Sequence, residues 1–544
     1  MKIFSGIGVG TKKASGILRF YKEKDAQEES TKNIFTTCEN ELKRLDKAIK
    51  DVKLSLEKMH QKAQNDIGEG EAKIFEIHLM LLEDEDLIET TQLEISCGKC
   101  AENAVLEASK KYSSMLISLN DEYLSERAKD IKDIASQLIN SLQGKEADES
   151  IISTPYILVA DDLTPSQTVM LNKDLILGFV TFFGTPSSHT AILARAMGIP
   201  ALVGVGEIDT ALDNEYCLLD SEKGELIVEP TENEIKLFKE KQSEENRIAK
   251  EHESYLKTLI NKPAISKNGH RVLIYANIGS ENEAEGALLN GAEGIGLLRS
   301  EMMYLSLNRY PTEDELYYAY KEAITEMKGR RVVIRTLDIG ADKQIPYFNI
   351  PKEENPALGY RGVRICLDRI DVFKTQLRAI LRASAFGKAS IMLPMIVSEN
   401  EVIRARELVE ECKNELFEEN YAFDSKIEIG IMIETPASAI MSDILAKHVD
   451  FFSVGTNDLT QYTLAVDRQN QRVSHIADEN REPILRLIEY AAEQIHKNGG
   501  WIGICGELGA DLTLTQRFVD MKIDELSVSS PYLLGVRKRV GECE

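Results

Sequence analysis

The run Gly184-Thr185-Pro186-Ser187-Ser188-His189-Thr190-Ala191-Ile192-Leu193-Ala194-Arg195-Ala196-Met197-Gly198-Ile199-Pro200-Ala201 sets a histidine at the start of a short helix. Turn formers precede it, Thr190 to Met197 carries the helical pattern, and Gly198 followed by Pro200 ends it. The first backbone N–H groups of a helix lack internal partners and carry the positive end of the dipole. A histidine placed there is held neutral, hence nucleophilic, and the same donors stabilise a phosphate on its ring.

A second set of reactive residues follows short apolar runs. Arg299 follows Gly296-Leu297-Leu298, and Arg335 and Asp338 follow Val332-Val333-Ile334. Glu434 follows Gly430-Ile431-Met432-Ile433, and Asn457 and Asp458 follow Phe452-Ser453-Val454-Gly455-Thr456, with Arg468 ten residues on. Cys505 and Glu507 follow Ile502-Gly503-Ile504. Taken singly, the charges read as structural ion pairs and the cysteine as a small core residue. Together they suit a carboxylate-bearing phosphate ester. Guanidinium forks hold carboxylate and phosphate, and carboxylates from neighbouring strands hold a hard cation such as Mg²⁺.

The pattern that must position this set is strand alternating with helix. Val272–Ala276, Gly294–Leu298, Val332–Arg335, Ile391–Pro394, Ile429–Ile433, Phe451–Gly455, Trp501–Cys505 and Glu525–Val528 read as eight strands. Their number and spacing predict a C-terminal (β/α)₈ TIM barrel over 263–544, with chemistry at the C-terminal strand ends. Residues 1–25 and 145–230 read as one α/β domain carrying His189, and 26–144 as an all-helical insertion. In the insertion, Phe35, Cys38, Leu42, Leu45, Ile49, Val52, Leu56 and Met59 alternate in steps of three and four, a heptad seam. Two further amphipathic helices pass through Ile74–Leu82 and Tyr123–Leu138. Thr231 and Glu234 form a capping box opening a charged linker helix over 231–262.

Across 544 residues, 90 acidic against 65 basic side chains leave a net charge of −25. That argues against nucleic acid and anionic membrane as partners and favours a basic protein. No apolar run reaches membrane length, and the N-terminus lacks a secretory core, so a cytoplasmic protein is expected. The eight cysteines show no disulfide framework, and the single C-x-x-C, Cys97 and Cys100, has no second pair to complete a zinc site.

These motifs resemble enzyme I of the bacterial phosphoenolpyruvate:sugar phosphotransferase system. The resemblance rests on Asp162–Ser166, the His189 run, Gly291–Glu301, Arg335–Lys343, Gly359–Arg364, Gly430–Ala439, Ser453–Thr463 and Cys505–Glu507. It implies a swivelling phosphohistidine domain, with His189 as phosphate acceptor and Cys505 as the acid protonating the enolate carbon to give pyruvate. It implies phosphoenolpyruvate held by Arg299, Arg335, Asn457, Asp458 and Arg468, Mg²⁺ on Glu434 and Asp458, and a homodimer through the barrel. It further implies that the insertion docks the histidine carrier HPr, with Met80, Leu81 and Leu82 as apolar centre and Glu83 to Asp86, including Asp84 and Asp86, as acidic rim. The family usually has Gly-Arg where Thr185 and Pro186 stand, so one cation near the histidine is missing. The chain lacks room for the ATP-binding domain of a dikinase. The alternative is a paralogous regulatory phosphotransferase feeding an HPr-like carrier; the expected absence of an appended sensor domain favours the sugar-transport branch.

Overall fold

Eight apolar segments close on themselves in the C-terminal half of the chain. In the computed structural model, β10 (Arg271–Ile278) pairs in parallel with both β11 (Ile295–Arg299) and β17 (Glu525–Val528). Between those two run β12 (Val332–Arg335), β13 (Ala389–Leu393), β14 (Glu428–Ile433), β15 (Phe451–Val454) and β16 (Trp501–Ile504), all parallel. The expected barrel is therefore present, with a short antiparallel strand, β9 (Ala264–Ile265), added beside β10. The structure describes residues 1–544 except 11, 22–34, 67–68, 119–121, 145–153, 162, 165, 168–170, 185–187, 341–344, 468–469 and 471–472.

Alternation along these strands divides the apolar residues between two cores. Ile334, Ile391, Ile431 and Val454 face the surrounding helices, while Leu297, Val333, Met392, Met432, Phe451 and Cys505 fill the barrel interior. At the N-terminal ends of the strands the interior turns polar. Arg331 pairs with Glu428 at 2.9 Å and lies 4.3 Å from the ring of Trp501, which stacks on Phe451 at 4.4 Å. Glu525 is 1% exposed beside them, in space left by two glycines of neighbouring strands. A Cβ at Gly296 would lie 2.2 Å from its Oε1, and one at Gly503 3.1 Å from its Cβ.

The chain forms two compact units, Met1–Ile248 and Ala249–Glu544. The first holds an eight-stranded sheet ordered β1-β8-β7-β3-β4-β5-β6-β2. Its strands are β1 (Lys2–Ser5), β2 (Ile7–Val9), β3 (Lys13–Phe20), β4 (Tyr156–Ala160), β5 (Ile176–Thr181), β6 (Ala201–Val203), β7 (Tyr216–Asp220) and β8 (Glu225–Val228). β3, β4, β5 and β6 run parallel, so the loops after β4 and β5 leave the same edge. Between β3 and β4 the described residues hold α1 (Cys38–Asp66), α2 (Glu69–Leu82), α3 (Glu85–Ser96), α4 (Ala101–Ser118) and α5 (Glu122–Leu142).

Leu45, Val52, Leu56, Phe75, Leu82, Ile95, Ala104, Ile134 and Leu138 form the core of these helices. The seam expected from Phe35 starts later, at Cys38. The Thr37 hydroxyl accepts from the Asn40 N–H at 3.3 Å, and such a cap ends helical register on its N-terminal side. Helix α7 (Glu232–Lys257) crosses the boundary between the units, opened by the expected Thr231–Glu234 box.

Burial pushes the Glu525 carboxyl up to about 8, and its Oε2 has no hydrogen-bond partner among the described residues. The folded state therefore favours the protonated acid, whereas the unfolded chain releases that proton near 4.3. Stability from this group is complete below about pH 4 and is lost as pH rises toward 8. Glu525→Gln should flatten that decline and exceed the parent at pH 8 by at least ~1 kcal/mol, the two converging below pH 5. Urea melts at pH 5 and pH 8 check this; parallel profiles for both proteins would refute it.

Candidate active site

The expected nucleophile sits where a helix begins. Helix α6 (His189–Met197) starts one residue earlier than its apolar pattern predicts, after Ser188 in extended backbone. Gly198 ends it in the left-handed region at φ +64°, and Ile199 N–H closes back on Ala194 O at 3.0 Å. Ser188 makes no side-chain cap. Its buried hydroxyl oxygen, and that of Thr181 at the end of β5, have no hydrogen-bond partner among the described residues. Both lie beside Gly184, whose φ of +117° only glycine adopts readily; a Cβ there would be 3.4 Å and 3.5 Å from the two oxygens. The His189 side chain, Thr185, Pro186 and Arg468 lie outside the described residues.

In the barrel, Arg335, Glu434, Asp458 and Cys505 come together at the C-terminal ends of β12, β14, β15 and β16. Arg335 is buried; it pairs with Glu301 and, at 3.0 Å, with Asp338. Asp338 passes the charge on to Arg361 at 3.3 Å. Arg361 in turn pairs with Asp458 at 3.3 Å and donates to the Tyr462 hydroxyl at 2.9 Å. Burial opposes both guanidinium charges, yet the surrounding carboxylates hold both groups above the ordinary arginine range. Arg299 ends β11 exposed, with no carboxylate partner among the described residues.

Glu434 is 1% exposed. Burial, then the neighbouring Asp338 and Asp458, push its carboxyl up to about 8. Its Oε1 accepts from the backbone N–H of Met395, a non-glycine residue held at φ +57° just beyond β13. Such backbone is costly and is retained where it aims a group. Cys505 is buried and donates to Val454 O at 3.5 Å; burial pushes its thiol up to about 11, so it keeps its proton at neutral pH. Asn457 is fixed from outside this lattice, donating to Glu507 Oε1 at 3.0 Å while its own oxygen accepts from the Glu507 N–H at 2.9 Å.

The strand-end rule passes over Glu301 and Arg361. Glu301 opens the helix after β11, and Arg361 stands in the crossover between β12 and β13. The local signal for Arg361 is Gly362, at φ +58°. A Cβ there would press on Met395 at 3.0 Å and on Asp338 at 3.2 Å.

In the helical region, Met80 is 73% exposed near the end of α2. The apolar centre expected there is smaller than three residues. Leu82 is 1% exposed in the helical core, and Leu81 packs against that core. Asp84 caps α3, its carboxylate accepting from Leu87 N–H at 3.0 Å, and Asp86 lies exposed in the first turn. The acids thus sit at a helix start, where the dipole favours them.

Three family descriptions match the chain. PEP-utilising enzyme, N-terminal, covers residues 2–127; the mobile domain covers 152–224; the PEP-binding domain covers 253–544. The phosphoenolpyruvate-protein phosphotransferase of Bacillus subtilis is 40% identical over 538 residues, 98% of this chain and 94% of that protein. The Haemophilus influenzae protein of the same name is 43% identical over 490 residues, 89% of this chain and 84% of that one. A solution structure of Enzyme I (nEIt) is 33% identical, covers 45% of this chain and 99% of that one, and has a TM-score of 0.38. With the barrel, the helix-start histidine and near full-length identity in agreement, the chain belongs to the phosphoenolpyruvate-protein phosphotransferase family of PEP-utilising enzymes.

Proposed function

We propose that this chain takes the phosphoryl group of phosphoenolpyruvate onto His189, releases pyruvate, and passes the phosphate to the histidine of HPr, the first step of sugar uptake by a phosphotransferase system. The observation that carries this reading is the buried lattice Arg335–Asp338–Arg361–Asp458 beside a protonated Cys505. An imidazole nitrogen of His189 attacks phosphorus, and the bond from phosphorus to the enol oxygen breaks. The electron pair left on that oxygen forms the ketone as the methylene carbon takes the Cys505 proton. Arg299, Arg335 and Arg468 bind substrate oxygens, with Asn457 oriented by Glu507. Arg335 is already fixed before substrate arrives, so little reorganisation is needed at the moment of transfer. At the histidine, the positive end of α6 and the unpartnered Ser188 and Thr181 hydroxyls suit phosphoryl oxygens.

Glu434 and Asp458 fit Mg²⁺ in this scheme. Burial and repulsion from Asp338 and Asp458 leave the Glu434 carboxylate undercompensated, and a divalent cation shared with Asp458 would relieve it. No group of three or more His, Cys, Asp or Glu side chains with metal-holding geometry occurs among the described residues. Two carboxylates suffice for Mg²⁺ when substrate and water supply the remaining ligands. When bound, the ion draws charge from the phosphoryl oxygens. On family membership alone, the proposal extends to a cytoplasmic homodimer joined through the barrel. No helix among the described residues is long and apolar enough to cross a membrane.

His189→Ala should abolish labelling by ³²P-phosphoenolpyruvate in Mg²⁺ without nucleotide while leaving substrate binding to the barrel intact. Parent label should be acid-labile and base-stable; normal labelling of the variant would remove the assignment.

Glu434→Gln and Asp458→Asn should each lower self-phosphorylation by at least about 100-fold and weaken its Mg²⁺ dependence. Cys505→Ser should slow pyruvate formation while leaving the calorimetric affinity for phosphoenolpyruvate within about twofold. Equal binding losses in all three variants would contradict these separate roles.

For the carrier, Asp84→Lys with Asp86→Lys in the full chain should slow exchange with phospho-HPr several-fold at low salt and little at high salt. Because Asp84 also caps α3, Asp84→Ser separates charge from capping: the serine keeps the cap and should show part of the same salt-dependent loss. Exchange that ignores ionic strength would rule out the acidic rim.

A further inference from the structure

A buried polar cluster joins the helical region to the edge of the sheet that carries His189. His78 on α2 is fully buried, and Asp130 and Asp133 on α5 are 5% and 6% exposed. The His78 Nε2 lies 3.3 Å from Asp130 Oδ1. Its Nδ1 faces Asp133 Oδ2 at 3.9 Å, beyond hydrogen-bond range, and both atoms have no hydrogen-bond partner among the described residues. The ring is set edge-on against Phe75, with centroids 5.9 Å apart.

Asp133 reaches outward from this pair. Its Oδ1 accepts from the Gln137 Nε2 at 3.5 Å, with Ser166 and Thr164 beside it. Gln137, one turn further along α5, donates to the Ser166 hydroxyl at 2.8 Å. Thr164 and Ser166 belong to the loop that follows β4, and Gly184 to His189 follow the adjacent parallel strand β5. The two loops leave the same edge of the sheet. The other end of the cluster stands on α2, two residues before Met80, the exposed residue of the proposed carrier dock.

We propose that His78, Asp133 and Ser166 are positioning residues for delivery of the phosphoryl group to the carrier, holding the helices that receive the carrier against the sheet edge that presents His189. The inference rests on the functional reading above. A buried charged cluster is a poor way to gain stability, because desolvation offsets most of the attraction. What it supplies is orientation. An amide that donates both to the Asp133 carboxylate on α5 and to the Ser166 hydroxyl on the loop tolerates little displacement, whereas an apolar contact slides. In-line transfer between two histidines needs that precision, since an error of about 1 Å costs up to about 100-fold in rate. Self-phosphorylation at the barrel makes no demand on this joint.

The test compares Asp133→Asn, Ser166→Ala, the double variant and Ser166→Thr in the full-length chain, with purified HPr and ³²P-phosphoenolpyruvate as probes. Asp133→Asn and Ser166→Ala should each lower the maximal rate of transfer to HPr by about 10- to 100-fold, with the HPr KM and the rate of self-phosphorylation unchanged. The double variant should be little worse than either, because both break one joint. Ser166→Thr, which keeps the hydroxyl, should restore transfer. Transfer at the parent rate in Ser166→Ala would overturn the proposal. So would a fall in self-phosphorylation and transfer in equal proportion, which marks general loss of folding. If Asp133→Asn does not fold, the Ser166 pair decides alone. A parent protein that labels itself but never loads HPr removes the functional reading, and this inference with it.

Discussion

Alternation of charge in a water-poor space is the constraint on which the mouth of the barrel depends. Glu301, Arg335 with Asp338, Arg361 and Asp458 come from four separate stretches of the chain, and each sign is flanked by the other. Removing one member would strand an unpaired charge, which costs far more than the pairing itself supplies. The arrangement is therefore all-or-none. It holds two guanidinium planes in fixed orientations, and it leaves Glu434 as the acid whose charge nothing within the lattice fully balances. Barrel, glycine turns and the left-handed Met395 all serve to bring these side chains to one level. A Cβ at Gly340 would lie 2.6 Å from Arg361 Cβ, so even the loop backbone is shaped to this lattice.

The barrel was legible in the sequence because its strands are short, apolar and separated by longer helical segments. Reading the residue after each run found Arg335, Glu434, Asp458 and Cys505 together, since β12, β14, β15 and β16 end beside them. Arg361 and Glu301 escaped because a crossover loop and a helix bring them in from the side. No linear spacing encodes that approach. Their motifs, Gly359–Arg364 and Gly291–Glu301, carried a family resemblance and no geometry of their own.

The helical region was harder to read, for two physical reasons. Helix α4 buries Ala101, Ala104 and Ala108, and alanine gives little periodic contrast. The run Leu79–Leu82 is apolar all the way round α2, so sequence alone cannot separate the exposed Met80 from the buried Leu82. His78 posed the same difficulty. A lone histidine among leucines reads as packing, and only the fold shows that two aspartates a helix away face it.

The floor of the barrel has an evolutionary consequence. Gly296 and Gly503 lack side chains where Glu525 lies, and a Cβ at Gly296 would also meet the Ser527 Oγ at 2.5 Å. The three positions stand on three different strands, yet none can change freely while the others remain. A side chain gained at either glycine is tolerated only after Glu525 has shrunk, and the order of those steps matters. Substitutions on this floor should therefore arrive as sets, so that lineages differ here by whole combinations of residues with few viable intermediates between them.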